Sequence, residues 1–251
     1  ESDVYSTSVG VDLSLNDNAL IGGYVSQLND KSEYSLNANK AETDLAGFGL
    51  YGKYLYNDAY MIGTLHYGFG DTEFSRNVNS GTNIEQSVIK SDASVFNSYV
   101  EAGRVFNMQS GSDSLDLTPF LAASYASVKT DGLTESLNTG LTVSDSDAKE
   151  VGLHAGLRLS NSFSNGLTLG GFAQYTNIVD RNLSKVSVAS NLDSSIAVDF
   201  TPPDFDKDYF IYGLNAKYET QMNKWVFFGN AFAVSDDDSG YLGQVGFKYN
   251  F

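Results

Sequence analysis

From Tyr5 the chain alternates with a period of two, Tyr5, Thr7, Val9, Val11, Leu13 and Leu15 falling on one side and Ser6, Ser8, Gly10, Asp12 and Ser14 on the other. Successive side chains of an extended strand point to opposite faces, so this pattern predicts a strand with one apolar side. The pattern returns after Asn16-Asp17-Asn18, and more clearly where Ala46, Phe48, Leu50, Gly52, Tyr54 and Tyr56 oppose Gly47, Gly49, Tyr51 and Lys53. After a tight hairpin at Asn57-Asp58 it sets Met61, Gly63, Leu65, Tyr67 and Phe69 against Thr64, His66, Gly68 and Gly70. Next, Phe96, Val100, Ala102 and Phe106 oppose Asn97, Tyr99, Glu101 and Gly103, with Ser98 and Arg104 blurring the apolar side. Leu115, Leu117, Leu121, Ala123 and Tyr125 then oppose Asp116, Thr118 and Ser124. The cleanest alternation places Val151, Leu153, Ala155, Leu157 and Leu159 against Glu150, Gly152, His154, Gly156 and Arg158. Strands over 167–175, 209–218, 225–234 and 241–251 bring the count to about eleven. In the strand from Trp225 the pattern does not decide which side faces outward.

The connections alternate in length. Those at 16–18, 57–58, 107–113, 161–166 and 221–224 are short, those at 30–43, 77–91, 129–147 and 181–207 are long and polar, and only 236–239 breaks the order. Short turns at one end and long loops at the other are what an outer-membrane barrel shows, the short ones being periplasmic. A lipocalin-like barrel or a sandwich also alternates, with its apolar faces turned inward. Two features favour the membrane. The polar sides carry glycines, small residues and scattered charges suited to a wet lumen, and Tyr54, Tyr56, Tyr125, Tyr175, Tyr218, Trp225 and Tyr249 sit near strand ends, where interfacial girdles belong. The expected fold is all-β, an antiparallel transmembrane β-barrel of outer-membrane type with about 12 strands, of which about 11 are visible here.

Parity sharpens that count. With Phe251 on the periplasmic side, counting back through the connections makes the first strand run inward, as the last one does. An antiparallel barrel closes only when its first and last strands run oppositely. A hairpin inside 181–207 would add two strands and leave the parity unchanged. One outward-running strand is therefore expected upstream of Glu1 or from another chain.

Composition adds bounds rather than a fold. The 251 residues make one domain, 1–251, the default. No run of about 18 apolar residues exists, which excludes a membrane-spanning helix, and the mean hydropathy of -0.22 is uninformative for a barrel whose strands are half polar. Zero cysteines suit passage through an oxidising periplasm. A net charge of -16 with only 15 Lys plus Arg argues against a nucleic-acid partner. No signal peptide opens the chain at Glu1, so either a leader was removed or the chain is part of a longer protein.

Candidate chemistry is sparse. Glu101, Glu150, His154, Arg158 and Lys217 fall on polar sides and are candidates for lining the lumen. His154 lies between Glu150 and Arg158 at i±4, which suits a hydrogen-bond ladder better than a triad, where Ser, His and an acid must converge. His66 lies beside Thr64. No metal-ligand spacing occurs, no cofactor is implied, and no catalytic residue is assigned. Acidic residues of the outer loops, Asp145, Asp147, Asp236, Asp237 and Asp238, lack calcium-loop spacing and read as solvated charge.

The last residues, GYLGQVGFKYNF, put Tyr241, Gly243, Val245, Phe247, Tyr249 and Phe251 on one side. With Gln244, Gly246, Tyr249 and Phe251 at the marked places, this closely resembles the terminal assembly signal of outer-membrane proteins. That resemblance implies docking on the barrel assembly machinery by strand addition. The segments STSVGVDLSLNDNALIGGYVSQ, LTPFLAASYASVKTDGLTE and AKEVGLHAGLRLS, with the terminal strand, resemble the β-domain of classical autotransporters over nearly the whole length. Pro119, Phe120, Tyr125, Gly132, Gly152, Gly156 and Arg158 match the pattern of that family. Its first strand and the helix that threads its lumen have no counterpart before Ser6. The resemblance implies a translocator in the Gram-negative outer membrane, not an enzyme, that anchors and helps export an N-terminal passenger without cofactor. The implied partners are that passenger, membrane lipid with lipopolysaccharide, and the assembly machinery. The alternative is a passive channel or an adhesin without passenger.

Overall fold

The computed structural model describes residues 2–34, 39–80, 83–110, 113–135, 140–193, 195–202, 207–220, 224–235 and 240–249. In chain order the strands are β1 (Ser2–Asn16), β2 (Ala19–Tyr34), β3 (Asn39–Tyr56), β4 (Ala59–Ser80), β5 (Asn83–Arg104), β6 (Phe106–Ser110), β7 (Asp113–Thr130) and β8 (Leu133–Thr134). They continue as β9 (Leu141–Val143), β10 (Ser146–Ser162), β11 (Leu167–Leu183), β12 (Val186–Ser190), β13 (Ala197–Phe200), β14 (Asp208–Glu219), β15 (Trp225–Ser235) and β16 (Gly240–Tyr249).

One path of eleven strands, β1-β2-β3-β4-β5-β7-β10-β11-β14-β15-β16, forms the wall, and β6 continues the line of β5 along β7. Every pairing is antiparallel, and the ten steps along the path leave β1 and β16 running the same way. Among the described residues neither has a ladder on its far side, and the wall does not close as an even-stranded barrel. The sheet curls far enough for Lys248 on β16 to reach Asp12 on β1, Nζ to Oδ2, at 2.8 Å.

The wall is inside out relative to a soluble protein. Leu121 is 68% exposed on its outer side, whereas the Glu101 carboxylate on the inner side is 1% exposed. Aromatic pairs gather in two belts: Phe48–Tyr67, Phe96–Tyr125 and Tyr175–Phe210 toward the outside, and Trp225 against Phe227, Phe247 and Tyr249 toward the periplasm. On β14, Phe210 and Tyr218 belong one to each belt, about 27 Å apart along the strand. A tilt near 40° projects this onto roughly 21 Å, close to the ~25 Å apolar band of an outer-membrane barrel. The undecided strand is settled by register: Ala231 pairs with Leu214 and Phe227 with Phe247, so Trp225, Phe227, Gly229, Ala231 and Ala233 face outward.

The long connections differ from their reading as loops. Those at 30–43 and 77–91 are mostly strand, since β2–β3 and β4–β5 continue past the membrane as paired hairpins. Lipid no longer covers the outer face there, so the alternation that marks lipid contact disappears while the backbone ladder persists. Those at 129–147 and 181–207 instead form a second sheet, β13-β12-β9-β8.

Candidate functional site

Side chains from four strands converge on the inner face of the wall. On β5, Tyr99 and Glu101 share a face two residues apart; β4 brings Tyr60, and β10 brings Arg158 across the intervening β7. The Glu101 carboxylate accepts Arg158 Nη1 at 2.5 Å on Oε1 and Nη2 at 2.7 Å on Oε2. Tyr60 donates to Oε1 at 2.7 Å and Tyr99 to Oε2 at 2.5 Å. Arg158 Nη1 also reaches the Tyr60 hydroxyl at 2.8 Å, and its guanidinium lies 3.9 Å from the Phe120 ring centroid. Four charge-assisted donors, two of them in a fork-to-fork pair, satisfy a buried carboxylate that would otherwise be costly. Small residues make room for these side chains: a Cβ on Gly103 would meet the Tyr60 ring, and one on Gly156 the Phe120 ring.

His154 stands one step further out on β10. Its Nε2 meets Ser124 Oγ at 2.8 Å, and its Nδ1 meets Thr176 Oγ1 at 2.9 Å and Gln174 Nε2 at 3.1 Å. Among the described residues no carboxylate bonds either ring nitrogen, so the Ser–His contact there lacks the acid that would orient a base. Glu150 pairs with Arg181 at 2.8 Å and Lys217 with Glu219 at 2.8 Å, so neither joins the cluster. Of the five lumen candidates the structure thus joins Glu101 to Arg158, places His154 beside them, and leaves Glu150 and Lys217 apart. Tyr60, Gln174 and Thr176 escaped the sequence reading; Phe120 was read only as part of the family pattern, and Ser124 and Tyr99 only as polar-side positions of their strands.

At the terminal strand, Gln244 lies 3.4 Å from Asn230 Nδ2, Gly246 accommodates the Phe228 ring, and Tyr249 packs on Trp225 at 4.8 Å between centroids. Phe251 and Asp236 to Asp238 lie outside the described residues. Asp145 accepts the Gly132 amide at 2.6 Å and Asp147 pairs with Lys149 at 2.7 Å. Among the described residues no group of three or more His, Cys, Asp or Glu is placed to hold a metal ion.

The family model of the autotransporter beta-domain matches residues 1–231. The chain belongs to this family. The β-domain resembles the translocator domain of the autotransporter NalP from Neisseria meningitidis at 18% identity and a TM-score of 0.78, over 100% of this chain and 82% of that one. It resembles the beta domain of the Bordetella autotransporter BrkA at 13% identity and a TM-score of 0.65, over 100% and 91%. The transport unit of AIDA-I from Escherichia coli matches at 14% identity and a TM-score of 0.60, over 100% and 83%. Comparison with curated proteins gives no match. The β-domain is a barrel translocator of the Gram-negative outer membrane that serves an attached N-terminal passenger, and the channel or adhesin reading is not favoured.

Proposed function

We propose that the wall of Tyr60, Tyr99, Glu101, His154 and Arg158 is the surface along which the segment joining barrel to passenger lies. The observation that carries this is the Glu101–Arg158 pair: Glu101 is fully engaged, while Arg158 is 39% exposed. The cluster therefore offers the lumen a fixed set of donors rather than a reactive group. In this reading the domain is not an enzyme. One strand antiparallel to β1 and β16 completes the wall at the seam, and Asp12 and Lys248 mark its inner side. Gln244, Gly246, Tyr249 and Phe251 serve as the docking signal for the assembly machinery, through backbone pairing and alternate side chains. Lipid and lipopolysaccharide contact the outer apolar band.

The test uses the full chain with an epitope upstream of Glu1. Intact cells should display the epitope, and replacing Tyr249 and Phe251 by polar residues should abolish both the heat-resistant barrel and the display. Normal display from a chain without an assembled barrel would refute translocation by this domain.

A further inference from the structure

Beyond the membrane band, one buried carboxylate ties together three segments that are distant in sequence. Glu135, which follows β8, accepts Arg76 Nε at 2.5 Å on Oε1 and Arg76 Nη2 at 2.5 Å on Oε2. Oε2 also accepts the Leu141 amide at 2.8 Å, and Ser87 bonds the same carboxylate. The Glu135 carbonyl accepts Asn191 Nδ2 at 2.8 Å, bringing in the connection between β12 and β13. Only 1% of the Glu135 side chain is exposed. The Arg76 guanidinium holds its carboxyl below the usual range, as expected for a carboxylate in a bidentate pair.

Register tells which way this small sheet leans. Arg76 pairs with Ser87 and Thr72 with Ser91 on β4 and β5, in unbroken register with the Tyr60 and Glu101 positions below, so all four project on the lumen face of the hairpin. Thr72, Ser87 and Ser91 are buried there, although they lie above the band, while Val88 on the opposite face is 53% exposed. Ser91 donates to the Asp131 carbonyl, at the root of the connection that carries β8 and β9. The second sheet is therefore packed against the inner face of the β4–β5 hairpin, on the side of the outer mouth.

We infer that Arg76 and Glu135 are positioning residues for export: their ion pair latches the β13-β12-β9-β8 sheet as a cover on the outer mouth, and its release widens the aperture. Other attachments of the sheet among the described residues include its own connections and neutral hydrogen bonds such as Ser91 to the Asp131 carbonyl. Removing one partner of the pair strands the buried charge of the other, a penalty that loss of a neutral hydrogen bond does not carry.

The test places a single cysteine at Ser91 in the full-length protein, adds Arg76→Ala, Arg76→Lys or Glu135→Gln, and times labelling by a bulky maleimide from outside intact cells. Heat resistance selects the folded variants. Expected is slow labelling with the native pair and fast labelling with Arg76→Ala and Glu135→Gln. Arg76→Lys should fall between, since it keeps the charge and loses the fork. Single-channel conductance of the extracted protein should rise in the same order. Unchanged labelling in folded variants would overturn the latch. Faster labelling with unchanged conductance would place the cover beside the mouth and overturn its role in the aperture.

Discussion

Two arginine–glutamate pairs share one chemistry and differ in what they hold. In each the glutamate side chain is 1% exposed and the arginine forks onto both oxygens. The Glu101–Arg158 pair joins β5 to β10 across β7, strands already fastened by continuous ladders, so it adds order to a wall that stands without it. The Arg76–Glu135 pair joins two separate sheets that share no ladder among the described residues. A buried pair is weak evidence for net stability in either place, because desolvation offsets most of the attraction. Its value lies in the arrangement it specifies: a fixed donor surface in the lumen, and a cover position outside.

The largest effect expected belongs to neither pair but to the wall that carries both. Leu153→Arg on the lipid face should cost about 2 to 4 kcal/mol and impair assembly. Asn97→Arg, exposed on the lumen face, should leave heat resistance unchanged. Equal damage from both would mean that the two faces are not chemically distinct.

Next comes the lumen pair. Arg158→Met strands a buried carboxylate, and chemical denaturation of the barrel should show a loss of about 2 to 3 kcal/mol, below the full penalty because Arg158 is partly reached by water. Tyr99→Phe removes one donor of four and should cost about 1 kcal/mol.

The outer pair should show its smaller global effect through pH. Arg76 lowers the Glu135 pKa from an ordinary 4.5, so the stabilisation is complete above that value and is lost as pH falls through the lowered one. The protection factors of β8 and β9 against hydrogen exchange, corrected for the intrinsic pH dependence of the amides, should be flat from neutral pH down to 4.5 and fall only in stronger acid, while β10 and β11 stay protected. Glu135→Gln should leave the small sheet with low protection factors that do not change over this range.

The smallest effect is steric. A Cβ at Gly246 would lie 2.3 Å from Phe228 Cζ, so Gly246→Ala must displace the ring and should lower the melting temperature by a few degrees, about 1 kcal/mol. By the same reasoning the lumen face is not uniformly permissive: a Cβ at Gly152 would meet Ser124 Oγ at 2.8 Å, and Gly152→Ser should not be silent.

The wall was legible because lipid enforces period two. Val151 to Leu159 opposite Glu150 to Arg158 left no ambiguity, and the parity argument anticipated an odd set of strands. Where lipid stops constraining one face the signal fails. In β15 the run Val226, Phe227 and Phe228 is apolar on both sides because Phe228 faces inward over Gly246, and only its partners fix the faces. The hairpin extensions read as loops for the same reason. Glu101 and Arg158 were found as charges on polar faces, though their contact spans 57 residues of sequence. Arg76 and Glu135 are 59 apart; Glu135 lay in a connection read as a loop and Arg76 just before another, beyond the alternating run that ends at Gly70, with no periodicity to mark either.

The most direct measurement arrests a passenger in transit and scans the wall with single photo-cross-linkers at Asn97 and Tyr99 on the lumen face and at Leu65 and Leu153 on the lipid face. The account predicts cross-links to the arrested chain from the first two positions and to lipid from the others. Cross-links to the passenger from Leu65 and Leu153, with none from Asn97 and Tyr99, would contradict passage through the lumen of this barrel.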